Sequence, residues 1–480
     1  MKQATVPITE APLAVDLDRT LIRTDLLWES VCALLKQNPL ATLLIPFWLF
    51  KGKAALKHEL AKRVRLDVAS LPCNTPFLNF LREEHRRGRD LVLTTAADSS
   101  YAQKIADHLG IFSAVLASEN GHNLKGRYKA KALEERFGAG GFAYAGNESV
   151  DLQVWQTAHS AVIVNPPKSL VRRSRKIVPV SRVFQDRKDR LGVFLQALRV
   201  KQWVKNLLVF IPLFTAHELE NPYQLMQAAW AFLAFSLMAS SVYVFNDLMD
   251  LESDRLHPEK KKRPFASGDL SLAAGLAMIP VLLAGSFLVS SLLPIGFLFF
   301  LGIYWLTNLA YSVFLKTFVL VDVFLLAFFY TLRVLAGGWA TEIVISKWLL
   351  AFSVFIFISL AFAKRVSELY TVRELHNDSA KGRGYRANDF EHLITQGSIS
   401  GYLAVLVFAL YISSAEVKLL YGSPEVLWLL CPLLLYWISR LWLWVSRRNI
   451  FEDPILFVST DRQSYLIGLA IALVVMVASA

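Results

Sequence analysis

Long apolar segments follow one another from about Val204 to the end of the chain, separated by short polar loops. Most of them approach the roughly 20 residues that an α-helix needs to cross a bilayer. We count nine, of which the first is short, near 205–217, 225–246, 272–291, 294–314, 317–338, 347–363, 400–417, 424–445 and 463–479. Because lipid cannot satisfy exposed backbone groups, this half of the chain is predicted to be an all-α polytopic bundle of nine transmembrane helices.

The positive charges between these segments fall mainly on one side, and the loops of the other side hold only Lys347 and Lys418. Lys and Arg are retained in the cytoplasm, so we expect a multi-pass protein of a bacterial inner (cytoplasmic) membrane. Its N-terminus would lie inside and its C-terminus outside. The net charge of +12 would suit nucleic acid or an anionic membrane, and 54% hydrophobic residues with a mean hydropathy of +0.40 favour the membrane.

The sequence up to about Arg190 has a different character. Short apolar runs such as LAVDLD and DLVLTT alternate with charged helical stretches such as FLNFLREEHRRGR, which is typical of a doubly wound α/β fold with a parallel sheet. We predict such a domain, with a small helical cap, over residues 1–170, a basic connector over 171–195 and the membrane domain over 196–480. The three cysteines lie far apart, which argues against a disulfide framework or a zinc site.

Two carboxylates and a hydroxyl follow the first predicted strand, where AVDLDRTLIRTD places Asp16, Asp18 and Thr20 in a D-x-D-x-T spacing. At a strand end this arrangement suits phosphoryl transfer. Asp16 can attack phosphorus, while Asp18 can protonate the leaving oxygen and later activate water. Mg²⁺ would offset the repulsion between carboxylates and phosphate. The motif resembles motif I of the haloacid dehalogenase (HAD) phosphatases, although acidic turns after strands also occur by chance.

The resemblance to this family covers about residues 11–168 and implies further roles. The hydroxyl that ends a strand and holds a phosphoryl oxygen is matched by Thr95 in LVLTTAAD, with Thr94 as the second candidate. The lysine that neutralises nucleophile and phosphate is matched by Lys129, with Lys131 as the fallback and a solvated lysine as the alternative.

The family's acidic metal-binding loop is matched by YAGNESVDLQVW, which offers Asp151. Asn147 stands where many relatives have Asp, and this departure weakens one metal interaction. The resemblance therefore implies a Mg²⁺ shell formed by Asp16, Asp151 and the backbone carbonyl of Asp18.

An unusually apolar run, LLIPFWLF, lies in the region 25–75 that is expected to form the cap. The run is too short to span a membrane, so it either packs in the core of the cap or dips into the bilayer beside a lipid substrate. Lys51, Lys53 and Lys57 follow it. They suit lipid phosphates, and a solvated basic face explains them equally well.

A second acidic motif ends one of the apolar segments, in SSVYVFNDLMDLESDRLHPEKKKRPFASG. Its helical spacing aligns three aspartates on one face. The three aspartates are Asp247, Asp250 and Asp254, and Asn246 precedes them in the motif. Burying several carboxylates near lipid costs on the order of a few kcal/mol each unless a cation compensates, so we predict a Mg²⁺ site for a diphosphate. The cations from Lys260 to Arg263 contact that anion or anchor the loop to lipid headgroups.

NDLMDLESD matches in full the N-D-x-x-D-x-x-x-D motif of the UbiA superfamily of membrane transferases, which implies a nine-helix bundle. Within it, LRVKQWVKNLLVFIPLF, HPEKKKRPFASGDLS, YSVFLKTFVLVDVF and AFAKRVSELY are similar to the decaprenyl-phosphate phosphoribosyltransferase branch, over about residues 190–480. Aromatic prenyltransferases of the superfamily have a second aspartate-rich motif after the sixth helix, where this chain has the basic KRVSELYTVRELHNDSAKGRGY. This difference favours a donor and an acceptor that are both phosphorylated.

Further polar side chains lie at the predicted cytoplasmic ends of the spans, where they suit the phosphates of phosphoribosyl diphosphate, although positive-inside anchoring also explains the charged ones. They are Gln202, Lys205, Asn206, Tyr311, Lys316, Lys364 and Arg365. Arg333 lies within a span, where an arginine is by default a functional candidate; the alternative is a structural ion pair with Asp322. Gly337 and Gly338 are expected to permit close helix packing.

These observations predict an enzyme that uses Mg²⁺ to transfer 5-phosphoribose from phosphoribosyl diphosphate to a polyprenyl phosphate, and a HAD domain that dephosphorylates the lipid product. One rival is a UbiA-type prenyltransferase with a prenyl diphosphate donor, serving quinone or lipid synthesis, with a regulatory HAD domain. A second rival is a catalytically silent module on a transporter-like bundle, against which both acidic motifs argue. We expect no nucleic-acid partner, and the oligomeric state stays open.

Overall fold

The computed structural model describes residues 11–119, 123–186, 188–374, 384–447, 453–458 and 460–479. The chain divides into two compact units. The first comprises Met1–Leu198 with Tyr243–Ile279, and the second comprises Arg199–Val242 with Pro280–Ala480. The aspartate-rich motif therefore belongs to the same compact unit as the N-terminal α/β fold.

A six-stranded parallel sheet with the order β3-β2-β1-β4-β5-β6 forms the centre of the first unit. Its strands are β1 Leu13–Val15, β2 Leu91–Asp98, β3 Ala114–Ser118, β4 Ala143–Gly146, β5 Ser160–Val164 and β6 Val180–Phe184. The three residues of β1 are fully buried, as expected for a strand covered on both faces. The strand order reverses between β1 and β4, which opens a crevice at the carboxyl ends of these two strands.

Helices cover both faces of this sheet, and the doubly wound α/β prediction is confirmed. They are α1 Leu26–Gln37, α2 Ile45–Phe50, α3 Lys53–Arg63, α4 Thr75–Arg86, α5 Ser99–Leu109, α6 Arg127–Phe137, α7 Leu152–Trp155, α8 Lys168–Ser174 and α9 Arg190–Ala197. Alternate residues of β1 face different apolar clusters, because Leu13 and Val15 join one and Ala14 joins the other. The Asp25 side chain caps α1 by accepting a hydrogen bond from the backbone of Leu27.

The α/β fold extends past the boundary predicted at residue 170. The segment 171–195, predicted to be a connector, contains β6, which pairs in parallel with β5. Three of the five β6 residues are exposed, since β6 is an edge strand. Arg182 lies over the rings of Phe80 and Phe184, at 5.0 and 5.1 Å, so its charge stays in water while its stem covers the core.

The cap is formed by α1, the 3-10 helix Pro39–Leu44, α2 and α3, and it has an apolar cluster of its own. Of the run LLIPFWLF, Trp48 is buried in that cluster, whereas Leu43, Phe47 and Phe50 are exposed. The run is therefore divided: Trp48 packs in the core of the cap, as the first alternative has it, and the exposed side chains form the apolar surface that the second alternative requires.

The helices after α9 are α10 Ile211–Thr215, α11 Pro222–Met249, α12 Leu251–Leu256, α13 Leu272–Ser290, α14 Ile295–Val313, α15 Val321–Thr341, α16 Lys347–Glu374, α17 Phe390–Ile412, α18 Ala415–Leu420, α19 Leu430–Ser446, α20 Pro454–Val458 and α21 Arg462–Ser479. In the described residues, eight segments are long and apolar enough to cross a membrane, and they match eight of the nine predicted spans. The chain is a multi-pass membrane protein. The basic loop predicted after the sixth helix lies partly outside the described residues.

The first predicted span, 205–217, is not among these eight. Val200–Phe210 is a 3-10 helix of 11 residues that leads into the 5 residues of α10. Rises of about 2.0 Å and 1.5 Å per residue give a reach of up to about 30 Å, which equals the thickness of a hydrocarbon core. The 3-10 geometry thus gives a short segment the reach of a ninth span.

Gly337 of α15 allows this segment to approach closely. A Cβ atom at Gly337 would lie 2.1 Å from the carbonyl oxygen of Val209. At Gly338 it would lie 2.7 Å from the Ile345 side chain. The expected role in helix packing is confirmed for Gly337, whereas Gly338 makes room for the loop that follows α15.

Candidate functional site

Polar side chains collect at the carboxyl end of β1, beside the crevice. The carboxylate of Asp16 accepts hydrogen bonds from Thr20 Oγ1 at 3.1 Å and Lys129 Nζ at 2.6 Å. All three side chains are buried. The fold thus brings together the predicted nucleophile and the predicted lysine, which are 113 residues apart in sequence.

Tyr144 extends this network to the acidic loop after β4. Lys129 Nζ donates to Tyr144 Oη at 3.0 Å, and Tyr144 Oη donates to Asp151 Oδ1 at 3.0 Å. Burial raises the pKa of Tyr144 well above its usual value, so the phenol keeps the proton that it donates. The sequence analysis did not identify Tyr144, because a tyrosine in FAYAG reads as an ordinary strand residue.

Backbone groups hold Asp151 in place. Its Oδ2 accepts hydrogen bonds from the N–H groups of Asn147 and Glu148, both at 2.8 Å. Gly146 leaves room for this contact, since a Cβ atom there would lie 2.6 Å from Asp151 Oδ2. Burial and then repulsion from Asp16 raise the pKa of Asp151 to about 6. A cation nearby would favour its ionised form.

Asn147 supplies an observation that bears on Mg²⁺. Its Oδ1 atom is buried and has no hydrogen-bond partner among the described residues. Oxygen is the ligand atom that Mg²⁺ prefers, so Asp16, Asn147 and Asp151 fit that ion. The described ranges contain no group of three or more His, Cys, Asp or Glu side chains placed to hold a metal, so an amide or carbonyl oxygen would have to complete the shell.

Asp18 lies on the loop after β1 and accepts a hydrogen bond from the N–H of Leu26 at 2.8 Å, where α1 begins. Burial, reinforced by the charges of Asp25 and Asp16, raises the pKa of Asp18 to about 7. A carboxyl group that is half protonated at neutral pH is suited to donate a proton to a leaving oxygen. This is the role that the spacing predicts.

Lys57 reaches the same region from the cap. Its Nζ donates to the carbonyl oxygen of Ala96 on β2 at 2.6 Å, and Lys57 and Asp18 line one cleft between cap and sheet. Burial lowers the pKa of Lys57. The sequence analysis considered this lysine for lipid phosphates or for a solvated basic face, and the structure places it at the cleft that Asp18 lines, where it would meet a phosphate.

Thr95 and Thr94 lie on β2, which runs parallel to β1 with Leu93 opposite Val15. Both threonines therefore lie at the same end of the sheet as Asp16. Thr95 Oγ1 accepts a hydrogen bond from the N–H of Ala97 at 3.0 Å. Thr94 Oγ1 is buried and unpartnered within the described part of the chain, so both alternatives for the phosphoryl-binding hydroxyl stay open.

The aspartate-rich motif lies where α11 ends and α12 begins. Asp250 interrupts the helix at φ −102° and ψ 14° and occupies the N-cap position of α12. The three aspartates therefore do not share one continuous helix face, contrary to the expectation from their spacing.

Arg263 nevertheless brings two of these aspartates together. Its Nη1 lies 3.2 Å from Asp247 Oδ1 and 2.7 Å from Asp254 Oδ2. Both carboxylates are buried, and burial raises the pKa of Asp254. Asn246 Oδ1 is also buried and has no partner in the described residues. Converging carboxylates that share one cation, with a free amide oxygen nearby, fit a Mg²⁺ site.

Lys260 belongs to the exposed 3-10 helix Lys260–Lys262. The three lysines of this turn form a basic surface on the loop that carries Arg263. Their exposure leaves both predicted roles open, contact with an anion and anchoring to headgroups.

The aspartate-rich segment is also bound to the cap within the first unit. Arg255 forms a salt bridge with Glu29 of α1, in which Nη2 lies 2.5 Å from Oε1 and Nη1 lies 3.2 Å from Oε2. The side chains of Arg255 and Glu29 are only 7% and 4% exposed. Asp269 forms further ion pairs with Arg23 at 3.3 Å and Lys188 at 2.8 Å. Since α1 begins at the N–H that binds Asp18, the Glu29–Arg255 pair connects the helix next to one acidic site with the segment that carries the other.

In the second unit, Arg333 binds neutral partners. Its Nε donates to Asn206 Oδ1 at 2.8 Å, Nη2 to Tyr304 Oη at 3.1 Å and Nη1 to the carbonyl oxygen of Phe329 at 2.5 Å. The alternative ion pair with Asp322 is not formed. Among the described residues no acid neutralises Arg333, so this predicted residue keeps its charge beside Asn206.

Lys205 and Lys364 meet at Asp453, which the sequence analysis missed. Lys205 Nζ lies 2.5 Å and Lys364 Nζ 3.7 Å from Asp453 Oδ2. Tyr330 donates to the same oxygen at 3.3 Å. Asp453 is buried, and its place in FEDP after a basic loop was the available signal.

Arg365 is fully buried in an ion-pair cluster with Asp322 and Glu368. Its Nη2 donates to Tyr311 Oη at 2.8 Å, which fixes the phenol of that predicted residue. Gln202 has a buried Oε1 without a partner in the described chain, and Lys316 is half-buried in the 3-10 helix Leu315–Thr317.

The model of the UbiA prenyltransferase family matches residues 207–460 of this chain. The uncharacterized protein y4nM of Sinorhizobium fredii is 36% identical over 464 residues, covering 96% of this chain and 90% of that protein. The decaprenyl-phosphate phosphoribosyltransferase of Corynebacterium glutamicum is 36% identical over 179 residues, covering 36% of this chain and 54% of that protein.

Two solved structures also align. A UbiA homologue from Archaeoglobus fulgidus bound to GPP and Mg²⁺ has a TM-score of 0.46 at 18% identity, covering 60% of this chain and 100% of that chain. Phosphoserine phosphatase in its apo form has a TM-score of 0.28 at 12% identity, covering 37% of this chain and 94% of that chain.

Proposed function

The chain belongs to the UbiA prenyltransferase family, and from this premise we propose that it transfers 5-phosphoribose from phosphoribosyl diphosphate to a polyprenyl phosphate. The α/β fold then removes the 5-phosphate from the lipid product. Both reactions take place on the cytoplasmic side of a bacterial inner membrane. Similarity to a decaprenyl-phosphate phosphoribosyltransferase supports the choice of donor and acceptor.

The observation that carries this proposal is the convergence of Asp247 and Asp254 on Arg263 at the end of a membrane-length helix. Asp247 and Asp254 would hold Mg²⁺, and since the described residues contain no group of three acids placed for a metal, Asp250 would join them after its side chain turns toward the pair. When bound, the ion lowers the negative charge of a departing diphosphate. Arg263 lies at the same place and would contact diphosphate oxygens. Asn246 offers its unpartnered Oδ1 to the ion or to a donor hydroxyl.

The second unit has a cluster of positive charge of its own that suits phosphate groups. Lys205 and Lys364 share the single carboxylate of Asp453, so the three side chains have a formal charge of +1. Arg333 adds a cation held by Asn206. Cations fixed by such contacts stabilise the negative charge of phosphorylated substrates and of the transition state without reorganising.

The proposed phosphatase reaction uses the network at β1. Asp16 would attack the 5-phosphate, and Asp18 would give its proton to the ribose oxygen that leaves. Water then attacks the phospho-aspartate, with Asp18 accepting its proton, and phosphate is released. Lys129, which donates to Asp16, would neutralise the phosphoryl oxygens, with Tyr144 holding the lysine in place.

Membranes incubated with labelled phosphoribosyl diphosphate and a polyprenyl phosphate test the proposal by mass spectrometry of the lipids. Wild type should yield ribosyl-phospho-lipid and inorganic phosphate. Asp247→Asn and Asp250→Asn should abolish lipid labelling, whereas Glu252→Gln, an exposed acid on α12, should retain it. Normal labelling by both aspartate variants at limiting Mg²⁺ would contradict the metal assignment.

The same assay separates the two halves of the proposal. Asp16→Asn should accumulate the 5-phosphoribosyl-phospho-lipid with the transfer step intact. If wild type and Asp16→Asn accumulate the same phosphorylated lipid without phosphate release, the α/β fold acts on another substrate. Consumption of a prenyl diphosphate in place of phosphoribosyl diphosphate would favour the rival prenyltransferase function.

A further inference from the structure

An uncharged segment of the cap, Pro39–Phe50, presents an apolar surface to the outside. Its twelve residues include no Asp, Glu, Lys or Arg. Ala41 and Trp48 are buried in the cap, whereas six large apolar side chains are exposed, with Phe50 at 97%. The exposed residues are Leu40, Leu43, Leu44, Phe47, Leu49 and Phe50. A contiguous exposed patch of this kind marks an interaction surface.

The polar groups of this segment are largely satisfied within the cap itself. The Thr42 hydroxyl donates to the carbonyl oxygen of Pro39 at 2.5 Å, and Asn38 Oδ1 accepts from the N–H of Ala41 at 3.2 Å. The N–H of Gly52 donates to the carbonyl oxygen of Leu49 at 2.9 Å. Few polar groups would therefore lose hydrogen bonds to water if the segment entered an apolar phase.

Basic residues border the apolar surface. Lys51 and Lys53 follow it directly and Lys36 precedes it, and all three are exposed. The ammonium group of Lys51 lies 4.5 Å from the centre of the Phe47 ring. Apolar side chains next to lysines suit the boundary between acyl chains and anionic headgroups, where each basic residue contributes about 1 kcal/mol of attraction.

The cap is also in contact with the start of a candidate membrane span. Leu276, on α13, packs against the same cluster that buries Trp48. Both belong to the first compact unit. The exposed segment is thus part of a cap that meets a membrane-crossing helix, and the bilayer is the apolar phase available to it.

We propose that Pro39–Phe50 inserts into the anionic interface of the bilayer that the chain itself spans. Twelve residues are too few to cross the membrane, so the segment lies at the interface as a monotopic anchor. The anchor holds the cap, and with it the crevice of the α/β fold, at the membrane surface. This inference requires only that the chain is a multi-pass membrane protein and does not depend on donor or acceptor.

The test places a bimane fluorophore on Phe50→Cys in the full chain, reconstituted in nanodiscs of phosphatidylcholine and phosphatidylglycerol. Ile177→Cys is the matched control, since Ile177 is an exposed apolar residue of the same unit outside the cap. Wild type treated with bimane gives the background from the native cysteines. We expect the Phe50 label to be quenched by nitroxide lipids, with an iodide quenching constant several-fold smaller than that of the Ile177 label.

Equal access of iodide to the two labels would overturn the proposal. A Phe50 label shielded from iodide and not quenched by nitroxide lipids would also overturn it, because a second copy or another protein segment would then cover the patch. Charge is tested by Lys51→Glu with Lys53→Glu. This pair should raise the iodide quenching of the Phe50 label in anionic nanodiscs and leave it unchanged in pure phosphatidylcholine, and an equal effect in both would exclude headgroup attraction.

Discussion

Glu29→Gln should loosen the aspartate-rich segment from the cap. The variant leaves the buried guanidinium of Arg255 opposite a neutral amide. Removing one partner of a buried ion pair typically costs about 3–5 kcal/mol. Arg255 Nε keeps the carbonyl oxygen of Ala266 as an acceptor at 3.2 Å, so we expect a value near the lower limit, about 3 kcal/mol. The cost should appear as local opening of residues 251–269.

Hydrogen exchange followed by mass spectrometry on the reconstituted chain measures this opening. A loss of about 3 kcal/mol corresponds to about two orders of magnitude in amide protection, since 1.4 kcal/mol is a factor of ten. Glu83→Gln is the control. Glu83 pairs with Arg86 at 3.2 Å with 47% and 73% of these side chains exposed, and such surface pairs contribute at most about 1 kcal/mol.

The double variant Glu29→Gln with Arg255→Gln should exchange more slowly than Glu29→Gln alone, because it leaves no buried charge. Unchanged exchange of residues 251–269 in the single variant would refute the reasoning. Additive losses in the double variant would show that the two side chains are not coupled.

Phosphate release from ribose 5-phosphate should fall as the pH rises through about 7, because burial raises the pKa of Asp18 to that value and the proton-donating form is lost above it. A rate that keeps rising with pH would contradict this role of Asp18. The Asp18→Asn variant should show no such pH dependence. Gly337→Val should lower the free energy of unfolding of the detergent-solubilised chain by about 1–3 kcal/mol, because the new side chain clashes with Val209. Gly302→Ala is the control and should leave the free energy of unfolding unchanged, since a Cβ atom there meets nothing within 4 Å. Tags at the two ends should be exposed on opposite membrane faces if Val200–Thr215 crosses as a ninth span; a cytoplasmic C-terminal tag would exclude it.

The sequence predicts both fold classes because their signals are strong and local. Apolar runs of about 20 residues identify eight spans, and buried strands such as Leu13–Val15 stand out between charged helices. β6 was assigned to a connector because an edge strand needs few apolar side chains. The 3-10 form of Val200–Phe210 has no marker in composition, since the two helix types use similar residues.

The site residues could be predicted from the sequence where they stand together in one short motif. Asp16 and Asp247 stand in motifs, and Lys129 follows in the expected order. Partners from distant segments were not predictable. Asp453 meets Lys205 across 248 residues of chain, and Arg365 rather than Arg333 pairs with Asp322, because such choices depend on how neighbouring helices are rotated.

A fragment ending at Leu198 would contain every strand of the sheet and still not be a self-sufficient domain. The chain returns to the first unit with Tyr243–Ile279, which supplies Arg255 to Glu29 and Leu276 to the cap. Without that return, Glu29 would lose Arg255, the partner of its buried ion pair. The two halves of this protein therefore cannot be exchanged by cutting the chain at one linker. Any exchange of modules, in the laboratory or in evolution, has to carry Tyr243–Ile279 along with the N-terminal α/β fold.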